Sequence, residues 1–132
     1  MLNIGICDDR PILREHLMML IHEYEIEKGV HFNLYQFGSG EGLLEKFKED
    51  KNFFDLFFLD NYMQGLTGLE TALCVRRDNP ACHIVFVTAT DEQAAFMAAS
   101  PLRILSKPAQ KEDIESILDI ALAWKTGKGC SG

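Results

Sequence analysis

Five short apolar runs mark the chain, and a segment with helical spacing follows each of them. Leu2 to Cys7 is the first run, and it stops on the acidic pair Asp8-Asp9. Pro11 suits the first turn of a helix. Leu13, Leu17, Leu20, Ile21 and Tyr24 then recur at helical intervals, predicting a helix to about Lys28 that Gly29 stops. Phe32 to Phe37 predicts a second strand. Ser39 is placed to cap a helix opening at Gly40, whose apolar face is Leu43, Leu44 and Phe47.

The third run, Phe54 to Leu59, is apolar except for one Asp and drives straight into Asp60. Such continuous runs belong to strands buried on both faces of a parallel sheet. A loop from Gly65 to Gly68 leads to a helix carrying Leu69, Ala72, Leu73 and Arg76, which Asn79-Pro80 breaks. His83 to Thr88 is β-branched and aromatic, and predicts the fourth strand. Asp91 is placed to cap an Ala-rich helix reaching about Ala99, and Pro101 prevents its continuation. Leu102 to Ser106 predicts the last strand, followed by Lys107-Pro108. Ile114, Ile117, Leu118, Ala121 and Leu122 share one face of a final helix. Residues 1–124 read as one α/β domain, and 125–132, small and polar, as a frayed tail, a linker start or a cloning remnant.

Composition changes this picture in three places. The net charge of −7 argues against direct nucleic-acid binding, which needs clustered Lys and Arg. The four cysteines form no CxxC pair, so they read as core thiols of a reducing cytoplasm. No apolar run approaches membrane-spanning length, so no membrane association is expected.

The strand ends carry the chemistry. Asp8 and Asp9 follow the first strand, Asp60 the third, Thr88 closes the fourth, and Lys107 follows the fifth. In a doubly wound sheet the carboxyl ends of the strands converge on one edge. Three carboxylates brought together repel one another, and a hard divalent cation such as magnesium, or manganese in its place, relieves that repulsion. A phosphoryl group on Asp60 would meet the cation, the Lys107 ammonium and the Thr88 hydroxyl on different sides. Taken singly, an Asp pair is usually a solvated turn, a strand-end Thr a β-former and a lone Lys a surface charge. It is their order along the chain that points to one site.

With these residues in place, the chain from about residue 2 to 124 resembles the receiver domain of bacterial two-component response regulators. The resemblance rests on Ile6-Cys7-Asp8-Asp9, Phe58-Leu59-Asp60 with Gly68 after it, Val87-Thr88-Ala89 and Lys107-Pro108. The opening Leu-Asn-Ile-Gly-Ile-Cys-Asp-Asp and the Gly38-Ser39-Gly40-Glu41 stretch look most like receivers of LytTR-type transcription regulators. It implies a flavodoxin-like (βα)5 fold with five parallel strands in the order 2-1-3-4-5. It makes Asp60 the phosphoacceptor for a sensor histidine kinase. Asp9, Asp8 through water, Asp60 and the Tyr62 carbonyl would hold magnesium, Thr88 and Lys107 would engage the phosphoryl group, and the Lys107-Pro108 bond would be cis. The helix from Asp91, the last strand and the last helix would serve homodimerisation or an output domain such as a DNA-binding one. Activity would be limited to self-phosphorylation and slow self-dephosphorylation.

Three positions depart from the family pattern. Gln64 stands where Pro is usual, which loosens the loop. Ile104 replaces the usual aromatic that couples to the Thr. Tyr62 is bulky beside the phosphoryl site. Phe96 and Met97, with Ile104, make an apolar strip that is either core or partner surface. Cys7 beside the acidic pair reads as a core thiol, and His16, His22, His31 and His83 follow no metal-ligand spacing.

The rival readings are a degenerate receiver acting as a phosphorylation-independent interaction module, a small Asp-nucleophile phosphohydrolase and a flavin binder. Such hydrolases usually place a second Asp where this chain has Tyr62, and their nucleophile lies on the first strand. Asp8-Asp9 would repel a flavin phosphate.

Overall fold

The computed structural model describes residues 1–89 and 93–131. Along the chain run β1 (Asn3–Cys7), α1 (Pro11–Lys28), β2 (Asn33–Phe37), α2 (Gly40–Glu49), β3 (Leu56–Leu59), α3 (Gly68–Asp78), β4 (His83–Thr88), α4 (Gln93–Phe96), a 3-10 turn (Met97–Ala99), β5 (Arg103–Ser106) and α5 (Lys111–Ser131). The strands form one sheet in the order β2-β1-β3-β4-β5, parallel throughout. This is the flavodoxin-like architecture expected from the alternation of strand and helix.

Period-two alternation along β3 explains its unbroken apolar sequence. Leu56 and Phe58 enter one core with Leu17, Leu20 and Ile21 of α1 and Ile114, Ile117 and Leu118 of α5. Phe57 and Leu59 enter the other, with Leu43 and Phe47 of α2 and Ala72 and Val75 of α3. Helices cover both faces, so no strand residue of β3 can afford to be polar until Asp60 leaves the sheet.

The helix limits follow local chemistry. Gly29 adopts a left-handed φ of 65° and its N–H donates to the Glu25 carbonyl, ending α1. The Ser39 hydroxyl accepts from the Gly42 N–H at 3.0 Å to start α2. Thr67 and Glu70 form a reciprocal capping box that starts α3. On α3 the inward residues are Thr71, Ala72 and Val75, while Leu73 is 40% exposed.

One expectation, a partner surface at Phe96, needs correction. The Ala-rich helix ends at Ala99 as expected, its last residues tightening from α4 into the 3-10 turn before Pro101. Phe96 is buried, its ring 4.5 Å from that of Phe86, so it is core and not partner surface. Ile104 is half-buried against the same core, and only Met97 of the trio is well exposed. α5 runs past Trp124 to Ser131, and Lys125 donates to Asp55 Oδ2 at 3.0 Å and the Met1 carbonyl at 3.2 Å. The cap assigned to Asp91 lies outside the described residues.

Candidate functional site: an acidic cluster closed by a lysine

The site stands at the carboxyl edge, where the ladder continues one residue past each strand. The Asp60 N–H donates to the Cys7 carbonyl at 2.9 Å, the Asp8 N–H to the Phe37 carbonyl at 3.1 Å and the Lys107 N–H to the Thr88 carbonyl at 3.2 Å. Backbone pairing therefore holds three of the chemically important residues on rigid elements. Asp8, Asp60 and Thr88 are buried, whereas Asp9 is exposed.

Asp8, Asp9 and Asp60 each offer a carboxylate oxygen within 4.8 Å of the others. Lys107 Nζ lies 2.8 Å from Asp60 Oδ1 and 3.1 Å from Asp8 Oδ2. The Arg10 N–H donates to Asp8 Oδ1 at 2.9 Å, and the Arg14 guanidinium donates to the Asp8 carbonyl. Burial is the largest influence on Asp60 and raises its pKa above the usual carboxylate value. The Lys107 hydrogen bond and charge and the Tyr62 N–H act against this, and the Asp8 charge adds to it. Cys7, beneath the cluster, has its thiol pushed up to about 12 by burial first and then by Asp8 and Asp60. It is buried with Sγ 3.5 Å from Met63 Sδ, as expected of a core thiol.

The loop from Asp60 to α3 is tied down from several sides despite Gln64. The Gly68 N–H donates to the Asn61 carbonyl and the Leu69 N–H to Asn61 Oδ1, both at 3.1 Å. Glu41 of α2 accepts from the Leu66 N–H with both oxygens at 3.4 Å. A Cβ at Gly68 would stand 2.2 Å from the Asp60 carbonyl oxygen. Only the absence of a side chain lets α3 start this close to Asp60.

The structure brings Asp8, Asp9, Asp60 and Lys107 together at one edge of the sheet, with Thr88 ending the neighbouring strand and its carbonyl accepting the Lys107 N–H. Tyr62 sits beside this cluster, its backbone turned to Asp60 and its side chain 59% exposed. The Lys107-Pro108 peptide bond is cis. Sequence reasoning did not find Asn61, Glu41 or Arg14 as supports. The Thr67-x-x-Glu70 spacing was a readable signal for the capping box, but Glu41 acts across an element boundary that no local pattern marks. His22 and His31, both exposed, approach the Glu25 carboxylate at 3.2 and 3.4 Å.

The sequence model of the response regulator receiver domain matches residues 4–119. The chain belongs to this family. A positive alginate biosynthesis regulatory protein of Pseudomonas aeruginosa is 33% identical over 121 residues, covering 89% of this chain and 46% of that protein. The chain thus spans about half the length of this curated relative. Among solved structures, a Clostridium thermocellum response regulator receiver domain protein matches with a TM-score of 0.81 at 18% identity, covering 96% of this chain and 98% of its own. The response regulatory domain of Klebsiella pneumoniae mrkE matches with a TM-score of 0.80 at 23% identity, covering 95% and 99%. A Thermotoga maritima response regulator in complex with Mg(2+)-BeF matches with a TM-score of 0.77 at 24% identity, covering 92% and 99%. At these identities the structural matches speak for the receiver fold.

Receiver domains bind magnesium at an acidic pocket, and the donor set here fits such an ion. Three carboxylates share one small volume, two of them buried, which is the hard oxygen chemistry magnesium selects. Lys107 stands among them as an internal counter-cation. A Lys107→Met variant is expected to bind magnesium about tenfold more tightly, since an ammonium this close repels a cation by on the order of 1–4 kcal/mol. Calorimetric titration checks this, and unchanged or weaker affinity contradicts it. Among the described residues no helix is long and apolar enough to cross a membrane.

Proposed function

We propose that this receiver domain is a phosphorylation-dependent switch of the cytoplasm, with Asp60 accepting a phosphoryl group from the phosphohistidine of a sensor histidine kinase. The observation that supports the reading best is the Lys107 ammonium 2.8 Å from Asp60 Oδ1 within the acidic cluster. An Asp60 carboxylate oxygen attacks phosphorus, the phosphorus–nitrogen bond breaks as the phosphorus–oxygen bond forms, and the imidazole leaves with the bonding pair. Lys107 stabilises charge on the transferring group, and the Thr88 hydroxyl is the group that turns towards it once Asp60 is modified. Asp8, Asp9, Asp60 and the Tyr62 carbonyl would hold magnesium, which when bound supplies charge neutralisation for the incoming phosphoryl oxygens. The protein's own work is to keep the acceptor ionised, oriented and half-shielded from water.

Asp60 modification then biases the segment from Thr88 through α4 and β5 between two arrangements. The output is a LytTR-type DNA-binding domain in the full-length protein, a reading supported by the Leu2 to Asp9 and Gly38 to Glu41 stretches. Met97 and Ile104 belong to the face that would meet that output or a second copy. Tyr62 screens the acyl phosphate from water. Its replacement in Tyr62→Asn is expected to shorten the phosphoryl lifetime by on the order of tenfold, read as the decay of the phosphorylated mass. An unchanged lifetime removes that role.

Intact mass after incubation with magnesium and a small acyl-phosphate donor tests the central proposal. A phosphate-sized gain, lost when a chelator is added first, supports it. No gain, together with no magnesium binding by calorimetry, leaves a phosphorylation-independent interaction module as the better account.

A further inference from the structure

Arg76, half-buried on α3, directs its guanidinium to backbone carbonyls of three separate segments, with Nη1 also 3.8 Å from Cys82 Sγ. Nε donates to the Ala99 carbonyl at 2.8 Å and Nη2 to the Ser100 carbonyl at 3.1 Å. Nη1 donates to Cys82 at 2.6 Å and Asn79 at 3.3 Å, at the end of α3 and the start of β4. The fork of N–H groups that arginine carries suits this, and a lysine cannot reproduce it.

The place where Arg76 grips is unusual. Among the described residues Ser100 is the only non-glycine with positive φ, at 49°. A left-handed serine is strained, so surrounding contacts must hold it. Its N–H donates to the Met97 carbonyl, and Leu102 then enters the sheet by donating to Ile84 at 2.7 Å. Ala99 is fully buried, and Phe96 lies on Phe86. Gln93, Ala94 and Ala95, at the other end of α4, are exposed and follow Thr88 closely in the chain. One end of this segment is thus held by two Arg76 hydrogen bonds and by the packing of Phe96 on Phe86, and the other faces solvent.

We propose that Arg76 makes Ala99-Ser100 the fixed pivot of the α4 segment, so that displacement beginning at the Thr88 end becomes a lever motion transmitted into β5. This rests on the phosphorylation switch proposed above. Arg76 is a positioning residue: it touches neither Asp60 nor the phosphoryl group, and it sets how far modification is felt at the output face.

The test compares wild-type and Arg76→Lys protein, each phosphorylated with a small acyl-phosphate donor and magnesium. Loading is read by intact mass, and the response by amide chemical shifts of Arg103–Ser106. The expected result is equal loading, with the ratio of switched to unswitched protein reduced about fivefold in the variant. Equal loading with a wild-type response overturns the pivot, even if the variant melts at lower temperature, because a merely structural role changes stability alone. In the wild type, the Ser100 and Leu102 amides are expected to keep their hydrogen-exchange protection on phosphorylation while the α4 amides change. Loss of protection at Ser100 also overturns the proposal. A wild type that takes up no phosphoryl group overturns the switch reading and the pivot with it.

Discussion

An Asp60→Asn variant is expected to take up no phosphoryl group under conditions that load the wild type, and to be the more stable protein in metal-free buffer at neutral pH. The first effect follows from chemistry, because an amide oxygen is a poor nucleophile and the amide cannot form the same acyl phosphate. The second follows from burial. Asp60 has its folded-state pKa raised above its ordinary value, chiefly by desolvation. The folded state therefore holds the proton more tightly than the unfolded chain does. Stability is greatest below the unfolded pKa and falls as the pH rises from there through the raised folded pKa. At neutral pH the ionised Asp60 is a cost that Asn removes, although Lys107 then keeps only Asp8 as its partner at 3.1 Å. Thermal melts of both proteins across pH check the sign. The gap should close in acid, and a variant less stable than wild type at neutral pH contradicts the assignment. Magnesium should stabilise the wild type more than the variant, because the carboxylate repulsion it relieves is smaller in the variant.

Gly68→Ala is expected to damage site and fold together. The added Cβ would meet the Asp60 carbonyl oxygen at 2.2 Å, the Asp60 carbonyl carbon at 2.8 Å and the Asn61 Cα at 2.9 Å. All three are backbone atoms, so no side-chain rotation relieves the clash. Either the first turn of α3 retreats or Asp60 shifts away from Lys107. We expect a loss of about 1–3 kcal/mol in denaturant unfolding. A displacement near 1 Å of the acceptor is expected to cost up to about 100-fold in the rate of phosphoryl uptake. A variant with wild-type stability and uptake contradicts this reading of the glycine. Loss of stability with normal uptake would place the strain in α3 instead.

How much of this was legible follows from the range over which each interaction acts. The order of elements was readable because both periodicities are local: period two in β3 and the helical spacing of Leu17, Leu20, Ile21 and Tyr24. The site was readable because a doubly wound sheet sends every strand end to the same edge, so Asp8, Asp60, Thr88 and Lys107 needed no contact information to be grouped. The sequence left Phe96 open between core and surface because a short Ala-rich stretch gives composition but no phase. The turn from α4 into the 3-10 helix decides which side faces Phe86. The ties from Lys125 to Asp55 and Met1 were not legible, because they span the whole chain. Glu41, Asn61 and Arg76 belong to the same class, since each acts on backbone groups of another element.

The most direct test of the central claim is to locate the phosphoryl group. Protein treated with magnesium and a small acyl-phosphate donor is reduced with borohydride, which converts an aspartyl phosphate to homoserine, and the peptides are then mapped by tandem mass spectrometry. The account predicts homoserine at position 60 and unmodified aspartate at positions 8 and 9. Modification at Asp8 or Asp9 in its place, or none at Asp60, would contradict it.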